Sequence, residues 1–473
     1  MARGRQLGIV ALVALGLAAG GPAGAACGAK TPWTTFGGDD ARSGENRCED
    51  VLGPGNVAGL QLLWSANFTS VSIAQPTYAP DLMIDGVSHD VLFVADEHGV
   101  VQALDAATGA QLWQQSFGVR RNDCLDIPDG VWGVSGAPVL DLATHTGYLA
   151  TAKDQVIKID LATGRKVKGW KPLSVGKSKL DHVYGALTLA NGRLYATTAS
   201  YCDEGKYYGH VTEIDVAADK VVARWDVVPK STGSYGGGIW GPGGVSVDDA
   251  NGAVYAATGN SLPGEHDGFA EQVVRLDASL APQAANYTPL VGADVDYGAT
   301  PLLFHPPGCP DLLAAKNKSG VLTLYDRDHI ANGPLQTLQL ADQASEWFNG
   351  IPAYSTDENQ VYVSNSSDSS VGVFQHGLVA FDIADDCTLT LAWQRTQGAN
   401  DTSVSPPSVA NGVVYWGDGQ GMKVFAVAAA DGTPLWDSGT TIGGPTFAAP
   451  LIADGRLIEA TWDGHVYAFG LVP

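Results

Sequence analysis

Residues 100–113 read VVQALDAATGAQLW. This is a short apolar strand ending on Asp105, a turn that closes on Thr108-Gly109, and a second strand reaching Trp113. Variants recur toward the C-terminus: VIKIDLATGRKVKGW ends at Trp170, VTEIDVAADKVVARW at Trp225, VAFDIADDCTLTLAW at Trp393, and VFAVAAADGTPLWD passes through Trp436. One such unit cannot bury its apolar surface alone, so its repetition implies copies stacked on one another.

Working outward, each motif is preceded by two further strands joined by a turn such as Ala190-Asn191-Gly192 or Ala410-Asn411-Gly412, and Asn-Gly between apolar runs is a strong hairpin signal. The units run approximately 76–117, 136–170, 185–227, 241–287, 298–340, 350–396 and 404–440. An eighth is split: residues 444–473 supply three strands, and LQLLWSANF (60–68) supplies the missing Trp-bearing fourth. The expected fold is therefore all-β, an eight-bladed β-propeller of four-stranded antiparallel blades whose last blade is closed by the N- and C-terminal strands. Hydrophobic residues are 45% of the chain and charged residues 16%, with 59 Gly, which suits many short buried strands punctuated by turns. No long 3.6-period segment with caps argues for helices.

Upstream of the propeller, assigned to 60–473, residues 26–59 form an N-terminal loop segment rich in turn residues. Residues 1–25 combine Arg3 and Arg5, an apolar run from Leu7 to Ala19, and the small-residue site Ala23-Gly24-Ala25, which reads as a secretory signal. Cys27 follows the cut, but Gly24 rather than Leu stands three residues before it, so the signal is read as secretory rather than lipoprotein. The expected location is secreted or periplasmic. No other stretch is long and apolar enough to span a membrane. Six widely spaced cysteines in such a chain indicate disulfides, the simplest pairing being Cys27–Cys48, Cys124–Cys202 and Cys309–Cys387.

A net charge of −23 repels phosphate backbones, so nucleic acid is excluded as a partner. Gly236-x-Gly238-x-x-Gly241 matches the dinucleotide fingerprint, but no helix follows it. There is no Cys-x-x-Cys, His-Glu-x-x-His or Gly-x-Ser-x-Gly, which removes zinc-ribbon, zinc-protease and hydrolase-elbow readings.

The pattern Ala-x-Asp-x-x-Thr-Gly-x-x-x-Trp, complete at Ala103 to Trp113, resembles the repeat of the quinoprotein alcohol dehydrogenase superfamily, over nearly the whole chain after the signal. Members bind pyrroloquinoline quinone (PQQ) and calcium; non-catalytic relatives use the same propeller as a scaffold. The resemblance assigns roles position by position. GGGIWGPGGVSVDDANGAVYAATGN (236–260) is similar to the blade ending in Gly-Thr-Gly-Asn, making Asn260 a calcium ligand. Five residues before Gly209, Glu204 matches a second ligand. Asp294-Val295-Asp296-Tyr297 is similar to the stretch holding the general base, implying Asp296 as base and further ligand, and Lys318-Ser319-Gly320 parallels the turn whose basic residue bonds the quinone. Trp240 is the candidate aromatic face, and Asn349, within Trp347-Phe348-Asn349, the remaining cofactor contact. Leu125 follows Cys124 where catalytic members carry two adjacent cysteines.

These residue types suit the implied reaction. Hard divalent ions prefer carboxylate and amide oxygens, a carboxylate can accept a hydroxyl proton, and an ammonium stabilises negative charge on a quinone oxygen. The expectation is a secreted dehydrogenase oxidising an alcohol or sugar with PQQ and calcium and passing electrons to an external acceptor. The alternative is a non-catalytic propeller presenting its loops to a protein partner.

Overall fold

The computed structural model describes Met1 and residues 27–472, other than 29, 125–127, 177–179, 265, 288–294, 343–349, 399 and 401–402. The secretory signal and Asn349 lie outside the described residues. Among those residues there is no α-helix, only strands and short 3-10 turns.

Eight antiparallel sheets form eight blades, each with its strands in sequence order from inner (A) to outer (D). Blade 1 is Thr77–Ile84, Val87–Ala95, Val100–Asp105 and Gln111–Ser116. Blade 8 joins Leu451–Ala453, Arg456–Ala460 and His465–Leu471 to Leu60–Asn67, with Leu60 opposite Leu471 and Asn67 opposite His465. The two ends of the chain thus close one blade, as the split repeat predicts. The apolar core lies between blades: Leu92 and Leu104 of blade 1 pack with Ile458, Val466 and Ala468 of blade 8.

The repeat motif is explained by its contacts. Asp105 Oδ1 accepts the backbone N–H groups of Ala107 and Thr108 and the Thr108 hydroxyl, so the Asp caps its own turn. Gly109 follows at φ +73°, and a Cβ there would sit 2.5 Å from the Trp64 ring of the preceding blade. Trp64 Nε1 donates to the Ala106 carbonyl at 3.1 Å. Trp113 repeats this on Gly164 and the Leu161 carbonyl of blade 2, and Trp393 on Gly432 and the Ala429 carbonyl of blade 7. The Trp of one blade is therefore a peg seated on the Asp-turn-Gly of the next, and the spacing between them is a contact distance between blades.

Residues 33–46 circle the axis once. Trp33 pairs with Tyr78 of blade 1; the carbonyls of Thr34, Asp40, Ala41, Ser43 and Gly44 accept the N–H groups of Leu140, Val247, Leu303, Tyr354 and Val409, in blades 2, 4, 5, 6 and 7. Thr35 Oγ1 donates to the Leu187 carbonyl beside blade 3, and Asn46 Nδ2 to the Ile452 carbonyl in blade 8. Turns between strands A and B receive the same segment: the Glu45 carboxylate accepts from Thr356 N–H at 2.7 Å and Glu49 accepts from Gly455 N–H. The A–B end of the channel thus has a floor. Buried Arg42 braces it, donating to Thr35 Oγ1 and the carbonyl of Phe36.

All three expected disulfides are formed: Cys27–Cys48, Cys124–Cys202 and Cys309–Cys387. The first ties the two ends of the floor segment together.

Candidate functional site

In a meander of four strands, the B–C and D–A connections lie at the end opposite the A–B turns. Every described candidate residue falls on those connections, facing away from the floor: Glu204 in blade 3, Trp240 before blade 4, Asn260 in blade 4, Asp296 before blade 5 and Lys318 in blade 5.

Three of them meet. Asp296, 1% exposed, accepts the Asn260 backbone N–H on Oδ1 at 2.7 Å and the Lys318 ammonium on Oδ2 at 2.8 Å. Its backbone carbonyl accepts the Lys318 N–H at 2.9 Å. Both carboxylate oxygens are therefore held by donors from two different blades. The side-chain Oδ1 of Asn260, itself 6% exposed, has no hydrogen-bond partner among the described residues. A buried amide oxygen left in this state beside a carboxylate is a donor suited to a hard cation, so the residues fit a hard divalent ion. No group of three or more His, Cys, Asp or Glu side chains with metal-holding geometry occurs among the described residues.

The glycines around it allow the close approach. A Cβ on Gly259 would lie 2.1 Å from Asp296 Oδ1, and one on Gly209 would lie 1.8 Å from the Gly237 carbonyl oxygen. Gly209 N–H donates to Gly236, Gly237 N–H to Asn260 and Gly259 N–H to Gly238, so three backbone segments lie side by side with no side chains between them. That is the physical content of the Gly-rich stretch from 236 to 244.

Trp240 is buried, and a Cβ on Gly238 would meet its Nε1 at 2.6 Å, which places its indole beside these segments. It continues an aromatic wall: Tyr184 stands edge-on to Trp240 at 6.2 Å and to Tyr201 at 6.1 Å, and His182 stacks on Tyr201 at 4.0 Å. Behind the wall, buried Glu97 accepts the Gly133 N–H and the Ser135 hydroxyl, and Ser135 Oγ contacts His182 Nε2 at 3.1 Å. Burial pushes the Glu97 carboxyl up to about 7 and the His182 imidazole down to about 3.

Glu204 is exposed, and its backbone N–H closes the turn onto Tyr201. Its neighbour Asp203 is half-buried and accepts the Tyr207 hydroxyl on Oδ1 at 2.5 Å. Burial, then the negative charge of Asp296, raise the Asp203 carboxyl above its ordinary value, with Lys318 opposing. Sequence spacing did not point to Asp203, Tyr207, Glu97 or the Tyr184–Tyr201 wall. The one available signal was Cys202, whose pairing with Cys124 fixes the turn beside Asp203.

A ring of eight blades, floored on one side and carrying a carboxylate, an ammonium and an aromatic wall on the other, is a propeller with a candidate ligand site on its loop face. Residues 33–181 match the family profile described as the glucose/ethanol/alcohol dehydrogenase β-propeller domain, and residues 375–470 that of the outer membrane protein assembly factor BamB. Among curated proteins, a polyvinylalcohol dehydrogenase from a Pseudomonas species is 23% identical over 462 residues, covering 88% of this chain and 68% of that protein. Among solved structures, the quinohemoprotein alcohol dehydrogenase of Comamonas testosteroni superposes with a TM-score of 0.68 at 18% identity, covering 93% of this chain and 80% of that one. BamB from Moraxella catarrhalis gives 0.53 at 15% identity, covering 87% and 97%. The chain is an eight-bladed β-propeller, and its repeats are similar to those of the quinoprotein alcohol dehydrogenases.

Proposed function

We propose that the protein is a secreted or periplasmic quinoprotein-like dehydrogenase that oxidises an alcohol or sugar with PQQ and calcium and passes electrons to an external acceptor. The observation that carries this reading is Asp296, a buried carboxylate held at both oxygens by Lys318 and Asn260. Asn260 and Asp296, with a carboxylate from the Asp203-Glu204 turn, would hold the ion; Lys318, Trp240 and Asn349 would contact the quinone. When bound, the quinone supplies the hydride acceptor and the ion polarises it.

The chain's own residues do the rest. Asp296 takes the hydroxyl proton of the substrate as hydride leaves its carbon. Lys318 keeps Asp296 in one orientation, and its ammonium would stabilise negative charge on a bound quinone. The floor built by residues 33–46 leaves the loop face as the route for substrate.

Dye-linked oxidation of alcohols is the test: activity should appear on adding PQQ with calcium and vanish in Asp296→Ala. Polyvinyl alcohol and short secondary alcohols are the first substrates to try, because two relatives that match over 88% and 94% of this chain are polyvinylalcohol dehydrogenases. The second reading, a non-catalytic scaffold, is favoured by the BamB-like C-terminal repeats and by Leu125 in place of a second cysteine. No oxidation and no rise in melting temperature with PQQ and calcium would put that reading ahead.

A further inference from the structure

We propose that Asp203, and not the adjacent Glu204, is the carboxylate that completes the Asn260–Asp296–Lys318 cluster, and that Tyr207 and the Cys124–Cys202 disulfide position it there. The proposal rests on the cation-binding reading of this site given above.

Two carboxylates one residue apart compete for the role, and the backbone separates them. Cys202 and Asp203 both adopt the left-handed conformation, at φ 54° and 47°, which is uncommon for two consecutive non-glycine residues. Both residues are tethered. Cys202 is bonded to Cys124 from the loop that leaves blade 1, and the Tyr207 hydroxyl grips Asp203 Oδ1 at 2.5 Å. Glu204 returns to an extended conformation, φ −65° and ψ 117°, and is exposed. Two consecutive left-handed residues therefore turn the chain between positions 203 and 204.

Tyr207 connects Asp203 to the rest of the site. Its carbonyl accepts the Gly236 N–H, Gly237 N–H donates to the Asn260 carbonyl, and Asn260 N–H donates to Asp296. Three hydrogen-bonded steps, all through glycine-rich backbone, join the Asp203 buttress to the Asp296 carboxylate. The negative charge of Asp296 acts on both Asp203 and Tyr207. With Lys318 supplying one positive charge against two carboxylates, the cluster keeps a net negative charge beside the unbonded Oδ1 of Asn260. That combination calls for a hard cation rather than another ammonium.

Calcium alone is the first probe, titrated calorimetrically into the metal-free protein and into Asp203→Asn and Glu204→Gln. Asp203→Asn should lose about tenfold or more in calcium affinity, and Glu204→Gln should stay within about twofold of the parent. A loss in Glu204→Gln, or equal losses in both, would overturn the assignment. A second measurement does not depend on native calcium binding. Zinc should raise the melting temperature of the Asp203→His/Asp296→His double variant beyond its effect on the parent and the single variants, because the proposal brings both imidazoles to one ion. Zinc stabilisation of Glu204→His/Asp296→His instead, or of neither pair, sinks the proposal. If the parent binds no calcium while zinc stabilises the Asp203 pair, the calcium reading fails and the placement of Asp203 stands.

Discussion

Lys318 and Asp296 are joined twice: the ammonium donates to Oδ2 at 2.8 Å, and the Lys318 backbone N–H donates to the Asp296 carbonyl at 2.9 Å. The second bond fixes the turn, so the first does not depend on a long side chain finding its partner. Removing the ammonium while keeping the turn leaves a carboxylate that is 1% exposed without its counter-charge. Lys318→Met should destabilise the fold by about 2–4 kcal/mol in urea unfolding, somewhat below the loss for a wholly buried pair because the Lys318 side chain is 13% exposed. The double variant Lys318→Met/Asp296→Asn should recover part of the loss, since it removes the unpaired charge. Additive losses would show that the pair is not coupled.

The contribution of Glu97 to stability should fall as pH rises from about 4.5 to about 7. Glu97 is buried, and its carboxyl is raised from 4.5 to about 7, chiefly by burial. Between those values the folded chain holds a proton that the unfolded chain releases, so the contribution is complete below about 4.5 and is lost as pH climbs through 7. The difference corresponds to roughly 3 kcal/mol. Glu97→Gln cannot ionise, so its stability relative to the parent should improve by about that amount between pH 4.5 and pH 8. Parallel pH profiles for the two proteins would contradict this.

Two glycines with nearly the same backbone angle should respond very differently to alanine. Gly164 has φ +67° and a Cβ there would meet the Trp113 ring at 2.5 Å, whereas Gly192 has φ +73° and nothing within 4 Å. Gly192→Ala should cost only the left-handed penalty of about 1–2 kcal/mol. Gly164→Ala adds the displacement of a Trp peg from the preceding blade, for a total of about 3–4 kcal/mol. Equal losses would mean that the Trp-on-Gly contact contributes nothing beyond the turn.

The repeat was legible because each of its letters has a local cause. Asp105 caps its own turn, Gly109 and Gly164 admit the Trp of the preceding blade, and Trp113 donates to a fixed carbonyl, so the motif writes inter-blade contacts into one line of sequence. The disulfides follow the simplest pairing of the six cysteines, although cysteine spacing alone does not determine connectivity. Spacing along the chain picked out Asn260 beside a short strand, Lys318 in a turn and Asp296 in the connection before Leu302–Phe304 as candidates, and these three are the ones that meet. Asp203 sits in a left-handed turn that no spacing rule anticipates, and the Glu97–Ser135–His182 network joins three connections far apart in sequence. The floor was invisible for a further reason. Residues 33–46 have no period because their partners change at almost every residue, one blade after another.

That floor makes a local change global. Trp33 is 2% exposed, pairs through its backbone with Tyr78, and donates from Nε1 to Gln75 Oε1 at 3.1 Å. Trp33→Ala should cost about 3–5 kcal/mol, the range for emptying a large aromatic site. The distinguishing readout is where protection is lost. The N–H groups of Val247, Leu303, Tyr354 and Val409 donate to carbonyls of the floor segment, although their blades do not touch Trp33 in this arrangement of bonds. If residues 33–46 hold the inner strands as one ring, hydrogen exchange at these four amides should accelerate in Trp33→Ala together with exchange at Tyr78. Faster exchange confined to blade 1 would show that the segment is anchored blade by blade and that the ring is closed by the Leu60–Asn67 strand without it.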